Sequence, residues 1–305
     1  MAGLKQLKTK IRSVQKTRTV TRAMEAVSAV KMRKSQTTAL YGRAYARAAL
    51  ATLSRVSGSR ALAGHPLCAE RPIARVLYLV ITSDKGLAGA LNSGVLRAVS
   101  RDIAAQNLAP KQVGIIAVGR KAQDYFTARD YMLESYHPNS DAITSATIDE
   151  LVAESADRFI NGIYDRVVVA YQGFISTFEQ QPTLRVVFPL TVGELARVVE
   201  SITPKRGLYA QVQDEPVPGV YTVEPSQEEV LSVVLPKLAG VFVYHALLES
   251  QASEHSARMV AMKSASDKAA ELTHGLTLTF NKVRQAAITR EVSEITGGME
   301  AMAVV

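Results

Sequence analysis

Apolar residues at the start of the chain recur at helical spacing. Leu4, Leu7, Ile11 and Val14 step by three, four and three, the rhythm of a seam between two helices. After Val14 the strongly apolar positions resume out of step, at Val20, Met24, Val27 and Val30, which predicts a phase slip and a local change of supercoil. A further stripe, Tyr41, Tyr45, Ala48, Ala49 and Leu53, continues until Ser57, Gly58 and Ser59 dissolve it. The other end of the chain has a matching pattern. Pro225, Ser226, Gln227, Glu228 and Glu229 read as a helix start, with a capping hydroxyl and acids where the helix dipole favours them. Pro236 is expected to kink or briefly break that helix. From Met262, the positions Ala265, Ala269, Leu272, Leu276, Phe280, Val283 and Ala287 keep steps of three or four, as far as Gly297 and Gly298.

Proline placement bounds both runs. All eleven prolines fall between Pro66 and Pro236, so the first 65 and the last 69 residues hold none. A helix of 50 to 60 residues is roughly 75 to 90 Å long, too long to lie against one small core. Such a helix needs a partner helix. The two ends are therefore predicted to return alongside each other as an antiparallel pair.

The middle carries a different period. Ala74–Thr82 (ARVLYLVIT) and Gln112–Val118 (QVGIIAV) are buried-strand runs, followed by helices from Ser93 and from beyond Arg120. A helical run at Ile148–Tyr164 precedes two closely spaced strands, Arg166–Tyr171 and Thr183–Phe188, which suit a hairpin. Strands alternating with helices predict a parallel sheet. The fold class is thus α/β: a long antiparallel two-helix coiled coil formed by the N- and C-terminal segments, plus a small, mainly parallel Rossmann-like α/β domain. Its expected parts are a helix over residues 1–65, an α/β domain over 66–225 and a helix over 226–305.

Charge changes this picture more than composition does. Residues 1–60 hold 14 of the 36 Lys and Arg but only one of the 28 Asp and Glu, Glu25, so the first helix is a cationic rod. Such a rod suits nucleic acid, an acidic membrane or acidic loops of a protein partner. At 47% apolar and 21% charged the chain is an ordinary globular sequence. No uncharged apolar run approaches the ~18 to 20 residues of a membrane span, and the opening residues turn amphipathic at once instead of forming a signal-peptide core. The one cysteine, Cys68, fits a reducing cytosol and is read as a small loop residue.

Candidate chemistry is sparse. The turn Ser83–Asn92 after the first strand is glycine-rich and opens a helix, a setting that can cradle phosphate, but it carries neither the G-x-x-x-x-G-K-[ST] nor the G-x-G-x-x-G pattern. His65, His137, His245, His255 and His274 are scattered, with His255 and His274 expected on the surface. No catalytic residue, cofactor or metal ligand is assigned.

Three blocks carry a family resemblance. Ile11–Gln36 (IRSVQKTRTVTRAMEAVSAVKMRKSQ) resembles the opening helix of the gamma subunit of F-type ATP synthases, and Ser83–Asn92 (SDKGLAGALN) is similar to that family's D-[RK]-G-L-C-G-x-x-N segment. Ser253–Ala269 and Phe280–Gly298 match its closing helix. Ala88 stands where the family usually has cysteine, Lys268 where asparagine is common and Met299 where a small residue is usual. Residues 190–225 hold no cysteine pair, so the redox switch of the chloroplast branch is not expected.

The resemblance implies a non-catalytic rotor. The helix pair would turn inside a ring of alpha and beta subunits, and the α/β domain would stand on the membrane rotor (c) ring beside an epsilon subunit. It also implies ring contacts at Met24, Lys31, Arg258, Arg284, Gln285 and Thr289, a tail (Gly297–Val305) turning in a sleeve of ring residues, and a bacterial form at the cytoplasmic face of the inner membrane. A nucleic-acid-binding coiled-coil arm on an α/β domain is the alternative for a cationic rod of this kind.

Overall fold

The computed structural model describes residues 2–56, 64–140, 144–191, 224 and 226–303. Ser57–Ser59, Pro225 and most of 190–225 lie outside these, as do the side chains of the Tyr41–Leu53 stripe and of most of the tail from Gly298. The chain falls into two compact units, Met1–Ala29 with Arg258–Val305, and Val30–Ala257.

The larger unit contains a five-stranded sheet. Its strands are β1 (Val76–Ile81), β2 (Val113–Val118), β3 (Met132–His137), β4 (Arg166–Phe174) and β5 (Gln180–Phe188), in the order β3-β2-β1-β4-β5. The first four run parallel, and β5 pairs antiparallel with β4 as the expected hairpin. Helices α2 (Leu91–Ala105) and α3 (Arg120–Thr127) cover one face through Val95, Val99, Ile103 and Phe126. On the other face lie α4 (Ser145–Ile160) and the first part of a long final helix, α5 (Gln227–Ala303), through Leu151, Phe159, Leu231, Leu235 and Phe242. After β3 the order of strand addition reverses, and β4 is laid parallel to β1 on its other side. Gly119 makes the tight exit from β2 possible: its φ is +93°, and a Cβ there would lie 2.1 Å from the Thr82 carbonyl oxygen.

The sequence pattern misses β3. Its segment, MLESYH, is polar and half exposed, so no alternation marks it. The strand is held at the sheet edge by charge. Glu134 accepts from Arg158 (3.0 Å) and from the Tyr164 hydroxyl, while His137 and Ser135 meet Glu154 at 3.2 and 2.8 Å.

Helix α5 starts as predicted, the Ser226 hydroxyl accepting from the Glu229 amide at 3.2 Å. The predicted break at Pro236 does not occur: one helix runs through it. Leu235, Leu238 and Ala239 bury on the sheet and hold the helix together, and the carbonyl whose helical partner proline removes belongs to Ser232, an exposed residue open to solvent. The same helix holds an 18-residue window of mean hydropathy 1.7, apolar enough by length and composition to cross a membrane, although charge interrupts it and no uncharged run of that length is present. Half of that window is buried inside the protein. Cys68 ends a 3-10 turn, Pro66–Cys68, and packs against the core, where burial pushes its thiol up to about 11.

The smaller unit is a helix pair. Along α1 (Ala2–Val56), Leu4, Leu7, Ile11 and Val14 are half-buried, and Thr21 and Ser28 are buried at the next seam positions. The predicted phase slip is absent. Val20, Val27 and Val30 are 57%, 55% and 69% exposed, and the three-four rhythm continues in small polar residues. On α5, Met262, Ser266 and Ala269 are buried, and Thr273, Leu276, Phe280 and Ala287 half-buried, while Leu272 and Val283 point outward.

Within this unit burial is deepest at Ser28 on α1 and from Met262 to Ala269 on α5, and it fades toward Leu4 on one helix and Ala287 on the other. Two helices that fade in opposite chain directions pair antiparallel.

Candidate functional site

The helix pair presents two chemically different surfaces. Lys5, Lys8, Lys10, Arg12, Lys16, Arg18 and Arg22 are all exposed, so the outer side of α1 is cationic. Past Ala287, where the pairing ends, α5 carries Ile288, Val292, Ile295 and Met299, each more than half exposed. Their spacing of four, three and four makes one apolar line. The sequence contains this signal, in steps of the same period set one residue out of phase with Ala287.

The six predicted contact residues divide by exposure. Arg284, Gln285 and Thr289 are exposed on consecutive turns of α5, next to the apolar line. Their guanidinium, carboxamide and hydroxyl offer donors suited to carboxylates and carbonyls. Met24 is half-buried between the seam positions Thr21 and Ser28. Arg258 is only 8% exposed and engaged within the protein. Lys31, in the larger unit, is half-buried and also engaged. The structure thus gathers three of the six on one accessible surface and places the other three at or near packed positions.

The glycine-rich turn is closed on itself. The Ser83 amide donates to Asn92 Oδ1 (3.0 Å), Asn92 Nδ2 to Ser83 Oγ (2.7 Å), and Ser83 Oγ to the Lys85 carbonyl (2.6 Å). Asp84 accepts from the Arg120 amide at 2.9 Å, tying the turn to the start of α3. Leu87 and Gly89 adopt positive φ, and Ala88, in the family's cysteine position, is buried. These contacts describe a strand-to-helix joint. Among the described residues no group of three or more His, Cys, Asp and Glu could hold a metal ion. His274 is exposed as expected, but His255 is buried and engaged, because α5 is covered on nearly all sides between Ser250 and Ser256.

Comparison with known proteins gives a family. Residues 3–302 match the family described as ATP synthase. A chain of the Tetrahymena thermophila mitochondrial ATP synthase central stalk/c-ring is 25% identical, with a TM-score of 0.58 over 81% of this chain and 99% of that one. A chain of the Euglena gracilis mitochondrial ATP synthase OSCP/F1/c-ring assembly, in rotational state 3, is 20% identical over 99% and 95%, with a TM-score of 0.64. One from the rotor of the Euglena enzyme in rotational state 1 is 18% identical over 94% and 99%, with a TM-score of 0.60.

Proposed function

The chain belongs to the gamma-subunit family of ATP synthase, and from that premise we propose how its geometry does its work. It is the central rotor shaft, coupling rotation of the membrane rotor ring to the conformational cycle of the catalytic beta subunits. Its partners are the alpha and beta subunits, epsilon and the c-ring. A nucleic-acid-binding arm is not favoured, since the family match spans nearly the whole chain. The observation that carries the reading is the antiparallel helix pair within a chain matched from residue 3 to residue 302.

A shaft directs its surroundings only if each orientation interacts differently with each ring subunit, because equal affinity for all states shifts nothing. The helix pair meets this condition through its asymmetry. One side is a row of lysines and arginines, and the free end of α5 is an apolar line flanked by Arg284, Gln285 and Thr289. A cationic side turning past acidic loops alters their energies at each step. The apolar end lacks directional bonds and turns with little resistance.

In this proposal the chain performs no reaction, and ATP is made or hydrolysed on the beta subunits. Residues 1–65 and 226–305 serve as shaft and residues 66–225 as foot, and Met24, Lys31, Arg258, Arg284, Gln285 and Thr289 meet the ring. The complex is bound to a membrane, here proposed to be the bacterial inner membrane, with this chain on its cytoplasmic face.

A probe fixed to the α/β domain of the chain, assembled with the alpha and beta subunits, should turn on addition of ATP. Sustained hydrolysis with a stationary probe would overturn the reading. Met24→Lys is expected to lower the protons pumped per ATP in reconstituted vesicles, since an added cation pins the shaft to an acidic loop. Wild-type yield would remove Met24 from the contact set.

A further inference from the structure

In the larger unit, α5 meets the β4–β5 hairpin through a line of polar side chains. His245, Glu249, Ser253 and Ser256 are spaced four, four and three residues apart, so they share one side of the helix. Ser253 and Ser256 are both fully buried. Ser253 Oγ donates to the Gln172 carbonyl of β4 at 3.0 Å, and Ser256 Oγ to the Thr177 carbonyl at the hairpin tip at 2.7 Å. In the turns before it, Glu249 pairs with His245 at 3.3 Å and its carboxylate helps raise the Tyr171 phenol of β4, with the Arg185 guanidinium of β5 lying 5.8 Å from the Tyr171 ring. Gly173 of β4 leaves room for β5: a Cβ there would sit 2.8 Å from Thr183 Oγ1, whereas Glu249 Oε2 of the helix, at 3.5 Å, would be at ordinary contact distance.

The hairpin end is itself stiff. Ser176 Oγ accepts from the Phe178 and Glu179 amides, and Gln180 Nε2 donates to the Ser176 and Thr177 carbonyls, both at 3.1 Å. A helix bonded to this hairpin is bonded to the whole sheet, because β4 also pairs with β1.

We propose that Ser253 and Ser256 are the torque joint of the α/β domain: their bonds to the β4–β5 hairpin fix the azimuth of α5 on the sheet. The inference rests on the rotor reading above. Farther toward the start of α5, Leu231, Leu235, Leu238 and Phe242 hold the helix to the sheet by apolar contact. That attraction is roughly proportional to area and carries no direction, so it resists separation more than rolling. Hydrogen bonds weaken steeply when bent, so a pair of them made at the helix surface, off its axis, resists twist. Ser253 and Ser256 are thus positioning residues that convert twist along α5 into rotation of the sheet.

The test uses the complete complex in vesicles, with protons pumped per ATP measured against a rising opposing proton gradient. Ser253→Ala with Ser256→Ala is expected to pump with a yield that falls progressively below wild type as the load rises. Thermal fluctuations of a probe on the α/β domain should also broaden. Ser256→Ala alone, which loses one bond, should show the same signature at smaller size and keeps the test open should the double variant assemble poorly. Ser250→Ala is the control. It removes a hydroxyl from the same buried stretch that is not bonded to the hairpin, and its yield should follow wild type at every load. A double variant matching wild type at full load would overturn the joint, as would equal losses in the double variant and in Ser250→Ala. Pumping that proceeds equally without the chain would instead overturn the rotor reading on which the joint depends.

Discussion

A hydroxyl can occupy a seam between helices because it bonds its own backbone. Thr21 Oγ1 donates to the Arg18 carbonyl at 3.0 Å and Thr273 Oγ1 to the Ala269 carbonyl at 2.7 Å, leaving the methyl groups for the partner helix. Hydrophobicity alone therefore puts the seam one residue off, at Val20 and Val27, and predicts a phase slip that the helix pair does not have. Spacing was legible; identity misled. The distinction is measurable in urea unfolding of the isolated chain. Ser28→Leu overfills a position only 3% exposed and should cost about 1 to 3 kcal/mol. Val27→Ser, at a site 55% exposed, should stay within about 0.5 kcal/mol of wild type. Buried phenols set a second residue-level expectation. Burial and hydrogen bonds to carboxylates raise Tyr78 beside Asp102 and Tyr164 beside Glu134 well above the ordinary phenol value of 10.0. A phenol that holds its proton more tightly when folded contributes stability that is complete below the unfolded pKa and lost as pH climbs past it. Unfolding free energy should thus decline above about pH 10, and replacing both residues by Phe should flatten that decline.

Elements were legible where periodicity was strong and hidden where charge replaced it. The strands at Val76–Ile81 and Val113–Val118 are apolar throughout and buried on both faces, so their runs announced themselves. β3 was invisible because its stability comes from pairs such as Glu134 with Arg158, formed by residues far apart in sequence. Pro236 shows the reverse error, a strong local rule overridden by packing on both sides. That override leaves a cost in place. In a helix interior proline is about 3 kcal/mol less favourable than alanine, and here the helix persists with the carbonyl of Ser232 left to solvent. Pro236→Ala restores the missing amide and should raise the unfolding free energy by roughly 1 kcal/mol or more. A lower melting temperature would mean that the proline ring makes contacts worth more than the backbone bond it removes.

At the scale of the whole molecule, family membership was legible from three ordered blocks, whereas the quality of each contact residue was not. Arg258 and Lys31 look alike in sequence to Arg284, yet two are engaged inside the protein and one is exposed. What survives at this scale is the charge pattern, a cationic α1 on a chain of net charge +8. Exposed charges act mainly on encounter, raising association rates at low salt, and their reach shrinks from about 30 Å at 0.01 M to about 8 Å at 0.15 M. Binding of this chain to a preformed ring of alpha and beta subunits should therefore slow as salt rises, while dissociation changes little. Neutralising Lys5, Lys8 and Arg12 together to Gln should lower the association rate at low salt and flatten its salt dependence. Stopped-flow measurements across that range separate this from an effect on the helix pair itself, because loss of pairing would speed dissociation at every salt concentration. Unchanged association in the triple variant would leave the apolar end of α5 as the part of the chain that directs docking.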